Sequence, residues 1–410
     1  MLRKISAVVA SLAIAVLAGC GGGSDGGDVS PPADFRVVPG DASVIVTWTA
    51  EPDVDYWIFF GPGSNINTSN WTTLGGVAVT GVTSPRIITG LANGVTYSFT
   101  INGRKNRGPG GPGAPTQVAT PQVAGANWAV GTPVGNTRLN SIAAGTLFSG
   151  FTVATVGVGG TIFTSVNAGP LTARTNPVAN VDLNAVWYGV IGMVAGGPNG
   201  TLLHSVDGVT WTQKESGTTN TLYGGAAATG QNYVAVGQGG IILNSSDLAT
   251  WTSRTVGDRD LYAATYGGTR FVAVGAGGAM HSSNDGTNWG PSPTLTERNL
   301  RGVAHALLPA ADGTFTSNFY VAVGDNGTWL TSTDGGSWTL QAPFTTANLR
   351  AITYGGRFVA VGDNGTIYTS INGLDWVVQA SNTTANLYSV ARQLTGYTAV
   401  GDAGVNVSTF

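Results

Sequence analysis

The chain has 410 residues, with 18 Lys or Arg against 21 Asp or Glu, for a formal net charge of −3. Charged residues make up 10% of it, against about 25% in an average globular protein, while glycine fills 63 positions beside 11 Trp, 12 Tyr and 13 Phe. This leaves too few Glu, Lys and Arg for coiled coils or long helical bundles, too little charge for charge-driven disorder, and no basic footprint for general nucleic-acid binding. Many short strands joined by tight turns fit what remains.

Arg3 and Lys4 precede an apolar run from Ile5 to Leu17, which ends in Leu17-Ala18-Gly19-Cys20. The run falls short of the roughly 20 apolar residues of a spanning helix, and its flanks fit a secretory signal. Cys20 is the one cysteine of the sequence, so no disulfide forms within the chain. The small residues before it resemble a bacterial lipobox. That resemblance implies removal of residues 1–19 and lipid on the Cys20 thiol and amine. With Gly21 rather than Asp following, it also implies sorting to the outer membrane. Several acyl chains on one residue exceed the two signals that stable anchoring takes. Residues 20–31 then read as a lipidated, Gly-rich tether.

Residues 32–122 read as a small β-sandwich. Ser43 to Thr49 alternates apolar and polar residues, with Trp48 near its end. Tyr56 to Phe60, Val77 to Val79, Arg86 to Ile88 and Tyr97 to Ile101 are further strand candidates, separated by turn residues. Trp48, Leu91, Gly94, Thr96 and Tyr97, with proline at both borders, resemble a fibronectin type III domain. The resemblance implies a tyrosine corner at Tyr97. Arg104, Lys105 and Arg107 form a basic cluster in the following loop and read as a solvated hairpin tip.

Beyond residue 123 a repeat dominates. Ser332-x-Asp334-x-x-x-Trp338 recurs around Asp207 and Trp211, Asp247 and Trp251, Asp285 and Trp289, and Asn372 and Trp376, with a weaker copy from Ser165 to Leu171. Successive tryptophans are 40, 38, 49 and 38 residues apart. A Val-Gly element precedes each copy, as at Val236, Val274, Val323 and Val361, and Gly-Gly, Asn-Gly and Asp-Gly pairs supply turns. Four short strands per period of about 40 residues predict propeller blades. The Ser-x-Asp-x-x-x-Trp unit is identified as the Asp box of BNR-type propellers. Its Asp or Asn is expected to cap backbone N–H groups of the turn between the third and fourth strands, and its Trp to pack beside the next blade.

Second-strand elements near Val156, Val194, Val236, Val274, Val323, Val361 and Val400 count seven blades. The seventh lacks a fourth strand and a box, since Ser408-Thr409-Phe410 stops where a box Asp would stand. Trp128, just before the first period, predicts an N-terminal strand that completes this blade and closes the ring. The expected architecture is therefore all-β: a fibronectin type III-like sandwich over 32–122 and a seven-bladed propeller over 123–410.

The segments entering the first strands align on Leu139, Leu183, Leu222, Leu261, Leu300, Leu349 and Leu387. Their neighbours Arg138, Tyr223, Asp260, Tyr262, Arg301, Arg350 and Tyr388 are the candidate binding residues, a polar ring at the channel mouth suited to a protein or polysaccharide partner. Asp325, Asp363 and Asp402 in the second-to-third-strand turns suggest calcium. They stand on separate periods, whereas calcium takes 6–8 converging oxygens, and turn chemistry accounts for them. His204, His281 and His305 lack metal-ligand spacing. No metal, cofactor or catalytic residue is expected. The alternative, a carbohydrate-active hydrolase, would draw its carboxylates from Asp182, Asp258 and Asp260, because Glu215 and Glu297 stand in no glycosidase-like context.

Val361 to Trp376, "Val-Gly-x-x-Gly-x-Ile-x-x-Ser-x-Asn-Gly-x-x-Trp", resembles the photosystem II assembly-factor-like branch of Asp-box propellers. This implies a non-catalytic scaffold that holds partner proteins. With the lipobox, it points to a lipoprotein of the bacterial envelope, joined to the membrane through its N-terminal lipid.

Overall fold

The computed structural model describes residues 29–178, 180–228, 232–309 and 316–409. The signal segment, Cys20 and most of the tether lie outside these residues.

Seven strands form the first unit: β1 (Arg36–Gly40), β2 (Ser43–Thr47), β3 (Asp55–Pro62), β4 (Val77–Val82), β5 (Arg86–Thr89), β6 (Tyr97–Arg104) and β7 (Gln117–Ala119). They make two sheets, β1-β2-β5 and β4-β3-β6-β7. Alternation places Val44, Val46, Trp48, Tyr56, Ile58, Phe60, Phe99 and Ile101 in one core between the sheets. The Tyr97 hydroxyl accepts the Ala92 N–H at 3.1 Å, tying β6 to the turn before it.

The rest of the described chain is a ring of seven four-stranded antiparallel sheets, a β-propeller. The first strands are Leu139–Leu147, Ala185–Gly189, Leu222–Ala227, Leu261–Gly267, Leu300–Pro309, Leu349–Tyr354 and Leu387–Arg392. Each lies against the first strand of the next sheet, and the seventh against the first. Seven apolar clusters fill the seven gaps between sheets. The box tryptophans belong to these clusters. Trp211 sits with Ala154 and Val156, and Trp251 with Val194 and Leu202, so each ring packs against the preceding sheet and not the following one. This corrects the expected direction, and follows from the outward face each fourth strand turns to its predecessor.

The five strong boxes are local clamps. Asp334 Oδ1 accepts the N–H groups of Gly336 (2.8 Å) and Ser337 (2.7 Å), while Ser332 Oγ accepts that of Gly335 (2.8 Å). The same bonds recur at Asp207, Asp247, Asp285 and Asn372. The weak copy departs from them: Asn167 Oδ1 accepts the N–H of Phe151 at 3.1 Å, at the start of the neighbouring second strand.

Strand β8 (Trp128–Val130) closes the ring, pairing Trp128 with Thr409 and Val130 with Val407. The expectation that this sheet has no box needs refinement, because one is assembled from two distant segments. Thr409 Oγ1 accepts the Gly125 N–H at 3.0 Å, the bond a box serine makes to a box glycine. The Trp128 indole N–H donates to the Gly125 carbonyl at 3.1 Å, as Trp289 does to Gly286. Ala124 takes the place of the box aspartate.

Antiparallel alternation gives the ring two faces. One carries the entries to the first strands and the second-to-third-strand turns, and is called the mouth face. The other carries the first hairpins and the boxes. The β1–β2 hairpin meets this box face, where the Asp41 N–H donates to the Thr395 carbonyl at 3.2 Å. Val29 packs at the opposite pole of the sandwich, against Gly103 and Gly111.

Candidate functional site

The mouth is built on a repeated irregularity of the first strands. In six sheets the register between first and second strands shifts just after the aligned leucine, for example between Leu222 and Gly224 and between Leu387 and Ser389. The residue left unpaired in each β-bulge is Asn140, Tyr223, Tyr262, Arg301, Arg350 or Tyr388. A bulge re-aims a side chain out of the pleat, and all six line one cavity of about 760 Å³ along the ring axis, together with Arg138 and Asn184.

These side chains divide into two sectors. In the amide sector, Asn140 and Asn184 donate to the carbonyls of Leu183 and Leu222 (2.9 and 3.1 Å), stitching each sheet to the next. In the other sector, aromatic rings and guanidinium groups form two sets of contacts. Tyr223 and Tyr262 meet edge to face at 5.6 Å, and the Arg301 guanidinium lies 5.6 Å from the Tyr262 ring. The Arg350 and Arg138 guanidinium groups lie 4.9 and 5.2 Å from the ring of Tyr388.

The two bulge arginines are held from behind. Arg301 donates through Nε and Nη2 to both oxygens of Asp325, and Arg350 through Nε to Asp363. Asn299 and Asn348 donate to the same carboxylates, at 2.8 and 2.9 Å. The Asp325 bond raises the Arg301 pKa above its usual value. Burial works to raise the Asp363 carboxyl, but bonds from Arg350 and Asn348 outweigh it and leave the pKa lowered. Burial, then the Asp260 charge, raises the Tyr262 phenol. Asp325 and Asp363, expected to serve the chemistry of their own turns, are instead ion-pair partners of the two arginines. A comparison between periods carries the signal that was missed, since Arg follows the leucine in two sheets whose turn reads Gly-Asp-Asn-Gly. Among the described residues no group of three His, Cys, Asp or Glu is placed to hold a metal.

Asp260 stands apart from the other candidate binding residues. It does not line the cavity, and its Oδ1 accepts the Gly239 N–H at 2.8 Å in the turn of the preceding sheet. Asp182, Asn299, Asn348 and Asn386 clamp Gly159, Gly277, Asn326 and Asn364 in the same way. Asp182 and Asp260, two carboxylates weighed for hydrolysis, are therefore occupied in separate turns. At the seam between the seventh and first sheets the clamp position holds Arg138, which cannot accept a hydrogen bond. His204, His281 and His305 lie on three different strands, and burial lowers the pKa of each.

The fold and this open axial mouth define a β-propeller of seven sheets. Among solved structures, the chain is similar to "YCF48 bound to D1 peptide", at 16% identity and a TM-score of 0.53, over 68% of this chain and 96% of that one. It is similar to "YCF48 from Cyanidioschyzon merolae" at 15% identity and 0.52, over 69% and 98%. A streptogramin B lyase structure matches at 12% identity and 0.58, also over 69% and 98%. At these identities the likeness is one of fold. No family model and no curated protein matches the sequence.

Proposed function

We propose that the chain is a non-catalytic binding scaffold, carried on a lipidated Cys20 at the bacterial outer membrane, with its propeller mouth as the contact surface for a protein partner. The observation that carries this reading is the set of bulge-presented Tyr223, Tyr262, Arg301, Arg350 and Tyr388. Tyrosine and arginine are residue types that dominate contact energies, and here they are pre-oriented by strand geometry and ion pairs. One structural neighbour is described as bound to a peptide, which fits the same use of the fold. The sandwich, read as a fibronectin type III-like spacer, meets the box face, and the chain enters it at the far pole. The mouth would then face away from the anchor.

The test is capture from envelope extracts by the full chain in detergent, set against the double variant Arg301→Ala, Arg350→Ala. A partner retained by the wild type and lost by the variant is the expected result. Equal capture by both removes the mouth from the reading. Turnover of a glycoside that Asp260→Asn or Asp182→Asn abolishes would replace the scaffold with the hydrolase.

A second form of this reading has a polysaccharide as the partner. Six tyrosines, residues 188, 223, 262, 266, 354 and 388, line the same cavity, and sugar rings stack on aromatic faces.

A further inference from the structure

The cavity extends beyond the mouth along the ring axis. Its lining follows whole strands, from Tyr388 to Arg392, from Tyr262 to Tyr266 and from Arg350 to Tyr354. Residues four apart on a strand are separated by about 13 Å, so aromatic and cationic side chains stand toward both ends of the channel. Between them the walls include Gly224, Gly225 and Ser389 beside Ile142, Val303 and Ile352.

The charge of this lining is one-sided. Arg138, Arg301, Arg350 and Arg392 line the cavity and no carboxylate does, in a chain whose net charge is −3. Arg301 and Arg350 have Asp325 and Asp363 behind them, whereas Arg138 and Arg392 have no ion-pair partner among the described residues. Both are oriented nonetheless. Arg138 donates through Nε to Asn140 at 2.8 Å beside the Tyr388 ring. Arg392 donates through Nη1 to the Gly396 carbonyl at 2.8 Å and lies 5.2 Å from the Tyr397 ring. Each guanidinium keeps further donors unspent. Asp402, in the seventh sheet's turn, does not line the cavity.

We infer that the channel binds a segment of an acidic polysaccharide, with uronate carboxylates held by Arg138 at the mouth and by Arg392 toward the box face. This rests on the polysaccharide form of the reading above. A uronic acid unit combines a carboxylate with a flat ring face. The channel offers the complement, four guanidinium groups interleaved with tyrosine rings. An acidic peptide supplies the carboxylates without the ring faces, so the tyrosines between the guanidinium groups favour a sugar chain. About 760 Å³ lies within the range of specific ligand cavities.

The experiment is calorimetric titration of the full chain in detergent with a hexamer of 1,4-linked uronic acid. The comparison ligands are the neutral hexamer of the same linkage and hexaglutamate. The expected result is binding of the uronate hexamer at least about tenfold tighter than either, with affinity falling about tenfold in Arg138→Gln and again in Arg392→Gln. Arg138 is exposed, so its variant tests the idea even where Arg392→Gln fails to fold. Arg107→Gln, on the sandwich, should bind as the wild type does. No uronate binding at millimolar concentration overturns the inference, as does equal or tighter binding of hexaglutamate, or unchanged affinity in Arg138→Gln. Capture of a protein partner that the uronate hexamer does not displace leaves the scaffold standing and removes this inference.

Discussion

The two faces of the ring use the same residue types to different ends. On the box face, Asp207, Asp247, Asp285, Asp334 and Asn372 each spend an oxygen on two N–H groups of their own turn. On the mouth face, Asp325 and Asp363 reach away from their turns to hold Arg301 and Arg350, which still present donors to the axis. A polar group satisfied locally stabilises a turn. A polar group satisfied from one side, with capacity left on the other, is ready for a ligand. Substitutions on the box face should therefore cost stability, and those on the mouth face should cost binding.

The largest stability loss is expected from Trp128→Ala, at the seam. Removing a buried tryptophan costs about 3–5 kcal/mol, and here it also empties the assembled box of the seventh sheet. Calorimetric melting should show the ring's transition falling well ahead of any change in the sandwich. Unchanged melting would mean that β8 does not close the ring. Next comes Gly373→Ala on the box face. Gly373 has φ +73, and an added Cβ would run into the Phe319 ring. Strain of this kind costs about 3 kcal/mol, readable as a shift in the urea midpoint.

Asp334→Ala should cost about 1–2 kcal/mol, like the loss of a helix cap, whereas Asp334→Asn should cost almost nothing. Asn372 already makes the same bonds in the sixth sheet. The two variants also separate in acid. N–H bonds from Ser337 and Gly336 hold the Asp334 carboxyl down to about 2, below its ordinary 3.8. A depressed carboxyl stabilises the fold above its unfolded pKa, and that contribution is lost as pH falls from about 4 toward 2. Asp334→Asn should remove this portion of the acid sensitivity; an acid melting profile identical to the wild type's would contradict the capping role.

The smallest stability effects belong to the mouth. Arg350→Ala removes a half-buried ion pair worth about 1 kcal/mol or less. Tyr223→Ala should stay within about 0.5 kcal/mol. Either should weaken a partner held at the mouth at least about tenfold. A mouth variant that melts early yet binds normally would collapse the distinction between the faces.

Much of the ring was legible in the sequence because each period repeats residues with a local physical reason. The box aspartates, the turn glycines and the aligned leucines mark strand ends directly, and the orphan Trp128 pointed to the closing strand. The bulges were not legible. A register shift appears only when two strands are paired, and nothing in Leu-Tyr or Leu-Arg announces it. The choice between neighbours was lost for the same reason. Asp260 and Tyr262 flank one leucine, yet one turns to the preceding sheet's turn and the other to the axis. The assembled seventh box was hidden because its serine equivalent, Thr409, and its glycine, Gly125, are 284 positions apart.

That separation also sets an order of events. Strand β8 precedes every other strand of the ring in sequence, and its partners, Val407 to Thr409, lie in the last strand of the seventh sheet. The first six sheets can each form from nearby strands, while the first and seventh face an open gap until β8 pairs. Contacts so distant along the chain are slow to make. Completion of the ring, and with it the continuous mouth, therefore waits on the most distant strand pairing in the fold.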